Sequence, residues 1–112
     1  MLDGLAARLE NYMTLLSARQ RLAASNIANA NTPGYKTQDV DFQSEFRAFV
    51  EGVEPRAVAV PGLETKNDGN NVSLDREARL LAENALRFGV ASALARSEIR
   101  MARSAIEEGK SA

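Results

Sequence analysis

Asp39 and Asp41 stand two residues apart in KTQDVDF, and this carboxylate pair is the first feature of the sequence that could do chemistry. Paired carboxylates ligate hard cations or divide acid and base roles between them. Either use needs company. The 112-residue chain contains neither histidine nor cysteine, which removes imidazole chemistry, most zinc sites and every disulfide framework. With no third ligand nearby, Asp39 or Asp41 reads better as the N-cap of a short helix. Arg96, Arg100 and Arg103 share a helical face and could meet a phosphate or an acidic partner. Glu98, Glu107 and Glu108 balance them, so a solvated face of mixed charge is the plainer reading. No constellation supports an enzyme, and none calls for a cofactor, a metal or a small-molecule substrate.

Charge points the same way. Basic and acidic residues number 14 and 15, for a net charge of −1. They divide five and five over residues 1–50, then nine and ten over the remainder. That is no footprint for nucleic acid. The N-terminus MLDGLAARLENYM lacks a basic leader and is interrupted by Arg8 and Glu10, so it does not read as a cleavable signal peptide. No run approaches the ~20 apolar residues of a membrane span.

What remains is architecture. Leu2, Leu5, Leu9, Tyr12, Leu16 and Ala23, with the adjoining row Ala6, Met13, Ile27 and Ala30, place an apolar stripe at helical spacing along residues 2–30. Asn31-Thr32-Pro33-Gly34 is a strong stop. Pro33 cannot donate to the helical ladder and pushes Thr32 out of the helical region, and Gly34 supplies a position open to positive φ. A second stripe runs through Leu74, Ala78, Leu81, Ala85, Phe88, Ser92, Ala95, Ile99, Ala102 and Ile106. Ser73 is its candidate N-cap, with Asp75 and Glu77 in the first turn. Gly89 inside that helix costs about 1 kcal/mol against alanine, a sacrifice that suggests close approach by another helix.

Between the stripes, Phe42, Phe46, Phe49 and Val50 suggest a short helix over 39–51 that anchors the region by its phenylalanines. Residues 52–72, rich in proline and glycine, suggest a short strand near Ala57–Val60 and a loop that is mobile or ordered by its neighbours. The fold is therefore mainly α. Long N- and C-terminal helices are expected to form an antiparallel, coiled-coil-like pair around an irregular middle with a short helix and possible short β strands. Three stretches, 1–32, 33–72 and 73–112, make up one domain. Two helices cover only part of each other, so the alanine-rich flanks call for further chains.

SNIANANTPGYK, residues 25–36, carries a resemblance. Asn26-Ile27-Ala28-Asn29, then Thr32, then Gly34-Tyr35, resembles the signature of the flagellar rod, hook and hook-associated axial proteins, placed as there just after the N-terminal helix. KTQDVDF and NNVSLDREARLLAENALRF resemble the corresponding passages of the short proximal-rod members. A neighbouring rod protein with a longer passage before its glycine is the alternative within the family. A needle or inner-rod subunit of another type III system, or a helical adaptor, is the alternative outside it.

The resemblance implies a structural subunit of the proximal rod, self-assembling into the helical shaft that carries torque across the periplasm. It implies export by the flagellar type III apparatus without a cleaved signal. Implied partners are other rod proteins, the rod-to-base adaptor and the export gate. Asn26, Ile27, Ala28, Asn29, Thr32, Gly34 and Tyr35 would form the corner between inner helix and outer segment. There Ala28 and Ala30 would permit close packing, Asn26 and Asn29 would satisfy loose backbone groups, and the Tyr35 hydroxyl would be bonded. Leu2, Leu5, Leu9, Leu16, Ile27, Leu81, Ala85, Phe88, Gly89, Ile99 and Ile106 would line the assembly stripes.

Overall fold

The computed structural model describes residues 2–111, apart from the side chains of Leu2, Asp3, Phe42 and Ser111. In chain order these residues form helix α1 (Leu2–Ala28), strand β1 (Gln38–Val40), helix α2 (Phe42–Glu51), strand β2 (Ala57–Ala59) and helix α3 (Leu74–Ser111). α1 and α3 hold 27 and 38 residues, about 40 and 57 Å of helix. The molecule measures 71 × 23 × 17 Å along its principal axes.

The helices run antiparallel. Asn26, near the end of α1, meets Glu77 near the start of α3. Leu16, ten residues earlier, meets Asn84, seven residues later. α1 serves two sides. Leu9, Leu16 and Ala23 are buried along it, and Leu15 joins Val40 and Ala48 in a small core against which Tyr12 and Leu22 pack. The helical ladder of α1 closes at Ala28, and 29–34 is a run of tight turns in which Ala30 N–H donates to Ile27 O and Tyr35 N–H to Thr32 O.

α3 meets α1 along a different line from the apolar stripe of its sequence. Its buried positions are Glu77, Asn84 and Ala91, one residue before Ala78, Ala85 and Ser92. Leu81 is half-buried at the margin. Ala85 and Gly89 are exposed, as are Phe88, Ile99 and Ile106. Among the described residues, and apart from its own helix backbone and chain neighbours, nothing lies within 4 Å of a Cβ built on Gly89, so no close helix approach accounts for that glycine there. A reading based on hydrophobicity alone could not anticipate polar residues at the centre of the seam.

The middle segment also differs from expectation. β1 and β2 pair antiparallel, with Gln38 opposite Ala59 and Val40 opposite Ala57. α2 therefore starts only at Phe42. Its N-cap is Asp41, whose carboxylate accepts from Ser44 N–H at 2.6 Å. α2 turns Ala48 inward, while Phe46 is 60% exposed and Phe49 lies edge-on to Tyr12 with ring centroids 6.0 Å apart. Phe46 and Phe49 are not the anchor of the segment; Ala48, small enough to let α2 lie close to α1, is. Of the residues singled out in the sequence, Leu2 and Phe42 have side chains outside the described ones.

Candidate functional site

Asn26 is wholly buried and uses its amide completely. Its Nδ2 donates to Gln38 O at 2.9 Å and to the Glu77 carboxylate at 2.7 Å. Its Oδ1 accepts from Gln38 N–H at 3.1 Å and from the Tyr35 hydroxyl at 3.0 Å. One side chain thus pairs with the backbone of β1 as a neighbouring strand would, holds the departing chain by Tyr35, and ties both to α3. An amide has two donors and two acceptor sites, and here all four are filled.

Around it the corner is closed from the far side by the loop before α3. Asn70, also wholly buried, donates to Asn29 O at 2.9 Å and Thr32 O at 2.8 Å, two carbonyls of the turns after α1 that each accept a backbone N–H as well. Its Oδ1 accepts from Val72 N–H at 2.9 Å. Asn71 accepts from Thr37 N–H at 2.7 Å and donates from its backbone to Tyr35 O at 3.2 Å. Lys66 Nζ reaches Ala30 O at 3.1 Å, and Lys36 Nζ bonds Gly69 O. Gly34 N–H donates to Asp68 O at 2.9 Å. Gly34 and Gly69 have φ of 75° and 85°, and a Cβ on Gly69 would stand 3.3 Å from Gly34 Cα. The two glycines let backbone meet backbone. Residues 66–71 are thus held by the corner itself.

A chain of charges continues inward. Arg19 grips Asp39 with two bonds of 3.1 Å and reaches Glu45 at 3.3 Å. Arg76 bonds Asp39 at 2.8 Å and Glu77 at 2.6 Å. The path from Glu45 through Arg19, Asp39, Arg76 and Glu77 to Asn26 crosses α2, α1, β1 and α3. Burial works against the charge on Asp39, yet the bonds from Arg19, Val40 N–H and Arg76 outweigh it and hold its pKa below the ordinary carboxylate value. Glu45, bonded less closely, has its pKa raised by burial. Burial opposes the charge of Arg19 and Arg76 too, but the carboxylates bonded to them raise both pKa values. Among the described residues, no buried side-chain polar atom lacks a partner.

Of the corner residues read from the sequence, the structure brings together Asn26, Asn29, Thr32, Gly34 and Tyr35. Asn29 donates to Ser25 O at 2.8 Å and accepts from Thr32 Oγ1 at 3.0 Å. Ile27 is half-buried and Ala28 faces outward. Along the stripes, Leu9 and Leu16 are buried and Leu5 is 46% exposed. Asp39 and Asp41 do not act as a pair: the first takes two arginines and the second caps α2. Sequence reasoning missed Asn70, Asn71, Thr37, Arg19, Arg76, Glu77 and Asn84 as members of the site. Glu77 and Asn84 left a trace in the sequence, since they stand seven residues apart beside an apolar stripe.

It also missed a second apolar row on α3. Leu86, Val90, Leu94 and Met101 are 70%, 55%, 52% and 57% exposed, and lie on the opposite side from Phe88, Ile99 and Ile106, at 40%, 51% and 59%. The signal was present as steps of four. Among the described residues, no helix is long and apolar enough to cross a membrane.

Comparison with known proteins bears on this arrangement. The family model for flagella basal body rod proteins matches residues 11–36, the last two thirds of α1 and the corner. The chain is similar to the flagellar basal body rod protein FlgB of Salmonella typhimurium, 32% identical over 128 residues that cover 89% of this chain and 93% of the relative. It is similar to FlgB of Escherichia coli at 28% identity, covering 97% and 99%. With FlgB of Cereibacter sphaeroides it shares 34% identity over 73% of this chain and 77% of the relative. These relatives carry the FlgB name, in keeping with the resemblance to the short proximal-rod members. The chain belongs to the FlgB family, the structural, non-enzymatic proteins of the proximal rod of the flagellar basal body.

Proposed function

We propose that this subunit enters the rod as a pre-bent helical unit. The clamped corner sets the angle between the α1/α3 pair and the connecting segment, and both outer faces of α3 are covered by neighbouring subunits. The observation that carries this reading is the pair of opposed apolar rows on α3. A helix that is apolar on more than one side belongs in an interior, and this chain supplies an interior on one side alone. Its accessible surface of 7499 Å² compares with ~6,000 Å² expected for a compact protein of its mass. Contacts that are head-to-tail and do not close on themselves build a helical shaft, which suits the transmission of torque.

The neighbours would be further copies of this chain and other rod proteins, with the rod-to-base adaptor and export gate at the lower end. By family resemblance the subunit would reach them through the flagellar type III apparatus, with residues 1–30 serving export and then assembly. Docking would bury the apolar rows and offset the entropy lost in ordering them.

Mass spectrometry of detergent-extracted basal bodies from the native host tests placement. Cysteine cross-linking at position 94 or 101 tests the outward row. Recovery of the chain with the other rod proteins, and cross-links from these positions to rod neighbours, is the expected result. Complete basal bodies lacking the chain, or rows that cross-link to nothing, would overturn it.

A further inference from the structure

We propose that Asn84 and Glu77 set the rotation of α3 about its own axis, and so keep its apolar stripe turned away from α1 and available to neighbouring subunits. The inference rests on the reading that the outward faces of α3 are assembly faces, and it names the residues that keep them outward.

Hydrophobic burial alone favours a different rotation. The sequence stripe of α3 centres on Ala78, Ala85 and Phe88, yet the seam holds Glu77, Asn84 and Ala91. Round the helix from Asn84, Phe88 lies ~40° away and Ala85 ~100° away in the same direction. Phe88 stays 40% exposed while Asn84 is 5% exposed. Asn84 Nδ2 donates to the mid-helix carbonyl of Leu16 at 2.6 Å and lies 3.4 Å from Gln20 Oε1. Glu77 takes the Asn26 amide at 2.7 Å on one oxygen and Arg76 at 2.6 Å on the other. Both polar groups sit seven residues apart on the same side of α3, so a single rotation satisfies them together. Rolling α3 to bury Phe88 and Ala85 would withdraw the Asn84 amide from Leu16 and leave the Asn26 amide short of an acceptor in a closed site. A buried polar pair of this kind selects one register at some expense of stability.

The chain contains no cysteine, so single reporters are clean. Phe88→Cys and Ala91→Cys are each placed in the unsubstituted chain and in Asn84→Leu, and maleimide labelling rates are measured on the purified full-length protein. In the unsubstituted background the reporter at 91 should react roughly tenfold more slowly than that at 88. In Asn84→Leu the order should invert, with 88 protected and 91 reactive. Simple loosening would speed both reporters, and a purely local role would change neither. Either result overturns the proposal, as do equal rates in the unsubstituted chain. Incorporation of Asn84→Leu into basal bodies separates the two readings. It should fall at least about tenfold, and inverted labelling with normal incorporation would sink the assembly face while the register assignment stood.

Discussion

The Asn26 side-chain amide donates to the Glu77 carboxylate at 2.7 Å across 51 residues of chain, and both side chains are wholly withdrawn from water. This contact joins the end of the first long helix to the beginning of the second. It stands where the charge chain from Glu45 meets the backbone pairing of β1, so the corner is held by a residue wholly inside it.

Asn26→Ala should therefore be severe. It strands the Gln38 N–H and carbonyl and one Glu77 oxygen, leaves the Tyr35 hydroxyl with Ser25 Oγ alone, and a buried polar group left unpaired costs ~1–3 kcal/mol. A loss of about 3 kcal/mol or more is expected in urea unfolding of the purified chain followed by circular dichroism. Asn29→Ala removes two local bonds at a half-buried position and should cost about 1 kcal/mol. Equal midpoints for the two variants would contradict this account.

The glycines of the corner separate backbone from steric demands. Gly34 needs positive φ but has open space where a Cβ would go, so Gly34→Asn should be tolerated while Gly34→Val, being β-branched, should abolish assembly without lowering expression. Gly69→Ala should be worse than Gly34→Ala, because its methyl would press on Gly34 Cα at 3.3 Å as well as strain φ. Swimming assays on strains carrying each variant give the ranking. Normal motility with Gly34→Val would count against the corner.

Acid should weaken the fold through Asp39. Its folded pKa is lowered, so the folded state holds its proton less readily than the unfolded one. The stabilisation is complete above the unfolded carboxylate pKa and is lost as pH falls through the folded value. Glu45, with its pKa raised, acts in the opposite sense and partly offsets that loss. Thermal melts across pH 3–7 should show a shallower acid slope for Asp39→Asn and a steeper one for Glu45→Gln. An Asp39→Asn slope equal to that of the parent would rule out this assignment.

The outward row should be silent in isolation. Leu94→Glu lies at an exposed position and should leave the free chain within ~0.5 kcal/mol of the parent while blocking entry into the rod. Gly89→Leu should stabilise the free helix by about 1 kcal/mol and still block incorporation. Normal incorporation of Gly89→Leu would place that face in solvent.

The helices and the corner were legible because their signals are local. Stripes at helical spacing, the Thr32-Pro33-Gly34 stop and Ser73, which accepts from Arg76 N–H at 3.2 Å, all act within a turn or two of chain. The clamp was not legible for the opposite reason. Asn70 and Asn71 read as loop residues, and only the fold brings Asn70 to carbonyls 38 and 41 residues away and Asn71 to Thr37, 34 residues away. Glu77 was assigned to the helix dipole, which is true of its position in the first turn but leaves out the partners supplied by α1. Phe46 and Phe49 misled because size suggested an anchor, where the geometry needed a small residue at 48.

The 17 Å thickness of the molecule has a consequence for genetics. A body scarcely deeper than one layer of helices has almost no interior, so most positions touch only solvent until the organelle is built. A mutational scan of folding and a scan of motility would consequently disagree over much of the sequence. They should coincide at the clamp around Asn26, Asn70 and Glu77 and diverge along α3. Residues tolerant in the test tube and intolerant in the cell would trace the outline of the neighbouring subunits.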